Sequence, residues 1–260
     1  MRKLSESIWS DMQDRSSGET VRQEDMITTN EVLRNKILEL YKEQGEGETL
    51  DVSSLTNLIK CDDFSNLFSR FEEVKHIIGL EDWDVSKVTN MKSMFEDCEN
   101  FNADLSKWDV SGVKTMTRMF SGCIHFNSGL SKWDVSNVEN MVEMFWGCIN
   151  FNSDLSKWNV SSVRDMQDMF WDCINFNSDL SKWNVSSVRD MHDMFCGCID
   201  FNSDLSKWNV SSVKDMAYMF NGCDKFNSDL SKWDVSSVED MRSMFSGCQS
   251  LKQIPSWYKN

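Results

Sequence analysis

Proline is almost missing from this chain, with one in 260 residues, and glycine is sparse at 11. That scarcity excludes a linker-rich, collagen-like or low-complexity protein. Histidine is scarcer than cysteine, three against nine, and His76, His125 and His192 each stand alone in different stretches. A metal cluster or a Cys/His catalytic pair needs such residues brought together, and the spacing offers none. Glycine-rich phosphate loops are lacking too. Positive charge is in deficit: 27 Lys and Arg against 42 Asp and Glu leave a net charge of −15. Duplex nucleic acid and an anionic membrane face are therefore poor main partners. The opening MRKLSESIWSDMQDRSSGE lacks the apolar run of a secretion signal, and no later stretch is long enough to span a bilayer. Synthesis in a reducing cytoplasm without membrane insertion is the expectation.

What the chain has is repetition. Trp83, Trp108, Trp133, Trp158, Trp183, Trp208 and Trp233 recur at every twenty-fifth position without an insertion. Met-x-x-Met-Phe follows each, from 91–95 to 241–245, and Cys98, Cys123, Cys148, Cys173, Cys198, Cys223 and Cys248 keep the same beat. Asn102, Asn127, Asn152, Asn177, Asn202 and Asn227 follow a Phe in every full unit. Such a period means one supersecondary unit per repeat, stacked on its neighbours. One unit buries too little apolar surface to offset the entropy of ordering its own chain, so neighbouring units must supply the rest. Matching side chains then form columns: a core of tryptophans, a file of buried thiols acting as small hydrophobes, and an amide ladder bonding coil to coil. Only Cys61 and Cys196 lie outside the thiol register. Cys196-Gly-Cys198 has no second pair to complete a zinc or redox site, and no cofactor is expected.

The chain divides accordingly. Residues 1–29 form a polar arm. Residues 30–49 hold an amphipathic helix, Val32, Leu33, Ile37, Leu38, Leu40 and Tyr41 recurring at helical spacing between a cap at Thr29 or Asn30 and a stop at Gly45. Residues 50–82 read as a degenerate N-terminal capping repeat: Asp51–Leu58 copies the phrase Asn159–Met166, and Leu67-Phe68, Phe71 and Val74 echo the rest with two extra residues. Residues 83–247 are the 25-residue repeats. Residues 248–260 form a C-terminal cap, where Pro255 stands in the place of Leu and cannot donate to a further strand.

Within a unit, Ser136 and Glu139 suggest a capping box, Val138 to Phe145 a helix of about two turns, and Gly147 its left-handed end. Cys148, Phe151, Leu155 and Trp158 point inward along an extended segment, with a short parallel strand expected at 154–158. The expected fold class is an α/β repeat solenoid of strand, turn and short-helix coils, capped at both ends.

The phrase W-D-V-S-x-V-x-x-M-x-x-M-F-x-G-C-x-x-F-N-x-D-L-S resembles the repeat of BspA-like leucine-rich-repeat surface proteins, the DUF285 or Listeria–Mycoplasma lipoprotein repeat. The resemblance covers residues 83–250 closely and 50–82 loosely. It implies a right-handed, leucine-rich-repeat-like stack used for adhesion or protein recognition, often on bacterial surfaces. The chain departs from the family in having neither a signal-like run nor a lipid-attachment cysteine near its start. Its opening stretch resembles the openings of proteins encoded by tailed phages.

An enzyme would need a unique constellation that breaks the repeat, and the sequence shows none. Asp104, Asp154, Asp179, Asp204 and Asp229 form an acid column beside Lys107, Lys132, Lys157, Lys182, Lys207 and Lys232. This reads as charge matching between columns, with calcium binding as the sharper alternative. The positions left free by the repeat are more telling. Those after Met-Phe are Glu96, Ser121, Trp146, Trp171, Cys196, Asn221 and Ser246; those after Cys include Ile124, Ile149, Ile174 and Ile199. Apolar residues thus gather in the middle coils. Trp146, Trp171, Ile124, Ile149, Ile174 and Ile199 would form either a protein-binding patch or a sealed corner. The expected function is a non-enzymatic recognition or structural solenoid with a protein partner, presented on a surface and, in the version the opening suggests, incorporated in a virion. An intracellular adaptor or effector scaffold is the alternative, and a carbohydrate-binding module stacking sugars on Trp146 and Trp171 is a lesser one.

Overall fold

The Met-x-x-Met-Phe phrase sets the backbone of every repeat, by an unexpected route. In the computed structural model, which describes residues 25–259, this phrase forms no helix. Met144 N–H bonds the Met141 carbonyl at 3.2 Å and Cys148 N–H bonds Phe145 at 3.0 Å, so tight turns follow one another. Between these, Met141, Glu143, Phe145 and Gly147 donate to Asp165, Gln167, Met169 and Trp171 in the next coil, at 2.7–3.1 Å. The alternation is possible because two residues per unit are left-handed. Here they are Glu143 (φ 53°) and Gly147 (φ 68°). A left-handed residue turns its peptide over, which breaks the i→i−4 pattern of an α-helix and aims the freed N–H at the next coil.

The expected two-turn helix at 138–145 is therefore replaced by a row of turns. The capping box does not form either: Ser136 N–H bonds Asp134 Oδ1 at 3.0 Å, and Glu139 N–H bonds the Lys114 carbonyl of the preceding coil at 2.8 Å. Nor is 154–158 a strand. Asp154 Oδ1 accepts from Ser156 N–H at 2.9 Å and Trp158 N–H returns to Leu155, which closes two turns over the stretch. The parallel pairing lies elsewhere, as one-residue bridges running Asp63, Asn90, Thr115, Asn140, Asp165, Asp190, Asp215, Asp240. Each repeat thus lies on the one before it in constant register. Its Val, Met, Phe, Cys, Leu and Trp side chains join a single apolar core that continues from coil to coil.

The N-terminal end is covered by helix α1, Asn30–Glu43. Thr29 Oγ1 caps it by accepting from Val32 N–H, and Leu33, Ile37 and Leu40 are buried against the first coil, whereas Val32 faces solvent. Asn30 Nδ2 donates to the carbonyls of Asp63 and Ser65, and Arg34 Nη1 to that of Asn66. Strand β1, Thr49–Asp51, pairs in parallel with β2, His76–Ile78. Only two of the extra residues of the first coil fall on the stretch that echoes the Met-Phe phrase. The interval from Asp51 to Asp84 exceeds one period by more than does that from Asp63 to Asn90, which pair. Most of the insertion therefore lies between Leu58 and Asp63, where Ile59 pairs with Ile27. That pairing ties down the end of the expected polar arm, with Ile27 buried. Residues 1–24, including the stretch that resembles phage proteins, lie outside the described residues.

At the other end Trp257 prolongs the tryptophan file. Its ring stacks on Trp233 at 6.3 Å and 7°, and its Nε1 donates to Leu230 at 2.9 Å.

Candidate functional site

Three columns tie the coils together through polar side chains. Each indole of the repeat file from Trp108 onward donates Nε1–H to a Leu carbonyl one coil back, as Trp158 does to Leu130 at 2.9 Å and Trp208 to Leu180 at 3.0 Å. From Trp133 to Trp233 successive rings lie parallel within 4° at 6.4–6.5 Å. Asn102, Asn127, Asn152, Asn177 and Asn202 each accept, through Oδ1, the backbone N–H of the next Asn at 2.8–2.9 Å. Asn227 does the same for Lys252. The thiols do more than fill space. Cys98, Cys123, Cys148, Cys173, Cys198, Cys223 and Cys248 each donate Sγ–H to a Phe carbonyl of the previous coil at 2.9–3.0 Å. Burial pushes these thiols up, Cys98 to about 12, so they stay protonated and serve as donors.

In the charge columns the lysines lower the aspartate carboxyls as charge matching expects, but as a lesser cause than hydrogen bonds from nearby serines. Asp104, Asp154, Asp179, Asp204 and Asp229 each accept the N–H of the serine two residues on at 2.9–3.0 Å. Hydrogen bonds from the hydroxyls and N–H groups of these serines are the main cause that holds their carboxyls below the usual range. None of the neighbouring lysines (107, 132, 157, 182, 207 and 232) reaches a carboxylate at ion-pair distance among the described residues. The aspartates are turn formers, as short side chains that bond their own backbone two residues on commonly are. A second acidic column, at the bridge positions Asp165, Asp190, Asp215 and Asp240, is hidden in the sequence because Asn90, Thr115 and Asn140 interrupt it. Asp165 and the nearby Asp168 are half-buried, and burial raises both carboxyls. His192 joins this side, with Nε2 2.6 Å from Asp193 Oδ2 and Nδ1 3.5 Å from Asp215 Oδ1. No group of three or more metal-ligating side chains suited to an ion occurs among the described residues. No helix among them is long and apolar enough to cross a membrane.

The middle-coil residues are neither sealed nor loose. The Trp146 and Trp171 rings stack face to face, 4.8 Å apart and 4° from parallel. Trp146 is 36% exposed, Trp171 is half-buried, and the half-buried Cys196 follows them in the column, its thiol pushed up by burial to about 12. Ile124, Ile149 and Ile174 are half-buried and Ile199 is exposed. Their backbones run on in one line, since each of these Ile carbonyls accepts an N–H from the next coil. Coils on either side put Ser121 and Asn221 in place of the indoles, so the apolar strip is bounded along the stack.

The protein-family model described as "Mycoplasma protein of unknown function, DUF285" matches residues 62–181 and again 148–258, more than half of the chain. No curated protein and no solved structure matches it significantly.

Proposed function

This chain belongs to the DUF285 family of BspA-like repeats, and from that premise we propose that it is a non-enzymatic recognition scaffold of the leucine-rich-repeat-like solenoid type, whose middle coils hold a protein partner. One observation carries the reading: an indole pair, Trp146 on Trp171, left partly in water in a chain that buries its other repeat tryptophans almost completely. Half-exposed aromatic residues beside aliphatic ones are the usual composition of an interface centre, and a rigid stack loses little entropy when a partner covers it. The repeat architecture supports the reading, because identical coils supply rigidity and leave the free positions to specify the partner. We place the scaffold on a cell or particle surface, in keeping with the surface-type repeat family.

The test is the double variant Trp146→Ser/Trp171→Ser. An aromatic pair adds about 0.5–1.5 kcal/mol beyond its burial, so the melting temperature is expected to fall by only a few degrees, at ~2–4 °C per kcal/mol. Partners that co-purify with the native protein, quantified by mass spectrometry, are expected to be lost. A collapse in melting temperature would instead show that the pair seals a corner of the fold.

A further inference from the structure

The Met-Phe row bonds in one direction only. In coil after coil its four alternate N–H groups point toward the C-terminal end of the stack, down to Met216, Tyr218, Phe220 and Gly222, which donate to Asp240, Arg242, Met244 and Ser246 at 2.8–3.0 Å. In the last coil the equivalent donors are Met241, Ser243, Phe245 and Gly247. None of these four N–H groups has an acceptor among the described residues. Two apolar side chains that are fully buried in earlier coils are half-exposed here: Met216 and Cys223 are sealed, Met241 and Cys248 are not, although Met244 and Phe245 stay buried. The opposite end is closed, since α1 covers it and Asn30 bonds the carbonyls of Asp63 and Ser65. Part of the open end is blunted as well, because Lys252 replaces the ladder Asn and Pro255 the Leu. The Met-Phe sector keeps all four donors and the same left-handed residues, Ser243 (φ 51°) and Gly247 (φ 80°).

We infer that this sector is a docking edge that accepts one further repeat of the same class, laid on as the next coil. The polarity of the donors selects that occupant. Two copies joined end to end about a two-fold axis would set donors against donors. An ordinary extended strand brings both N–H and C=O groups to its edge and would repeat the same conflict at intervals. A second copy joined head to tail meets a carbonyl row already closed by Asn30 and α1. Every interior interface shows what does fit: a coil of this phrase, whose alternate carbonyls all face one way and whose Met, Phe and Cys continue the core columns.

The experiment uses the full chain and a synthetic peptide copying one unit, Asp134–Trp158, with a scrambled peptide of the same composition as control. Hydrogen exchange, read by mass spectrometry over the segment 241–248, is expected to slow at least tenfold with the repeat peptide and not with the scrambled one. Met241→Lys places a charge at the open end and is expected to weaken the peptide at least tenfold with an unchanged melting temperature. Leu251→Lys, also half-exposed at this end, serves if Met241→Lys misfolds. Equal protection by the scrambled peptide, or none by either, overturns the inference. So does protection of 241–248 in the protein alone that rises with its concentration, which would make the occupant a second copy.

Discussion

The left-handed residues decide how the chain turns, and their surroundings differ in a measurable way. Gly79 has φ 84°, and a Cβ there would lie 2.6 Å from Ser53 Cα and 2.8 Å from Ser53 N, both backbone atoms. Gly79→Ala is expected to cost about 2–4 kcal/mol, combining conformational strain with a clash that cannot relax. Gly45→Ala, with φ 91° and nothing within 4 Å, keeps only the strain and is expected to cost about 1–2 kcal/mol. Urea midpoints of the two variants check the difference. The half-buried Asp165 makes the opposite kind of statement. Burial holds its carboxyl above the usual range, so the folded state binds the proton more tightly than the unfolded one. At neutral pH this group subtracts stability, and the loss is recovered as pH falls through the raised value toward the ordinary ~3.9. Asp165→Asn, which keeps the acceptor for Gln167 N–H, is expected to raise the melting temperature at pH 7, and the difference is expected to shrink with falling pH and vanish well below the ordinary ~3.9. The aspartates whose carboxyls are held low by serine hydroxyls and N–H groups, such as Asp134 and Asp204, act with the other sign. They stabilise the fold above the ordinary range and lose that contribution on acidification.

At the scale of the element, α1 is a lid with two attachments. Its apolar stripe of Leu33, Ile37 and Leu40 closes the core, and Asn30 and Arg34 bond carbonyls of the first coil that no preceding coil could serve. Ile37→Ala deletes a fully buried side chain and is expected to cost about 2–4 kcal/mol. The loss should fall on the N-terminal end first, because each coil touches only its neighbours. Hydrogen exchange over residues 59–71 is expected to accelerate while exchange over 159–221 stays unchanged; uniform acceleration would mean that the array unfolds as one unit. The repeat element itself is a row of turns. Its valines and methionines look like a helical stripe because residues three and four apart share a face in a chain of turns as they do in a helix.

Across the whole molecule the constant register has its own consequence. Removing residues 159–183 joins Trp158 to Asn184, the start of the same phrase, and every column remains continuous. That deletion is expected to fold, with native-like near-ultraviolet circular dichroism and a lowered melting temperature. Removing residues 159–170 instead is expected to abolish the signal, since the coils that follow lose register with those before. The same logic separates the two surfaces proposed for partners. The Trp146 and Trp171 strip lies along the side of the stack, whereas the Met241 to Gly247 donor row lies at its end, and a substitution at one should leave the other intact.

The sequence by itself determined the period, the columns, the core and the ends. Trp158, Cys148 and Asn152 recur at a fixed interval, and a fixed interval leaves equivalent side chains only one another to meet. It also marked the middle coils as exceptional, through the two indoles that replace polar residues. Only the tertiary structure decided the path of the backbone within a unit. Glu143 and Tyr218 carry no sign of a left-handed conformation, and it is the carbonyls of the adjacent coil, almost a full repeat away along the chain, that stabilise it. For the same reason the direction of the donor row, and the end it leaves open, follow from contacts between coils and not from any order of residues within one.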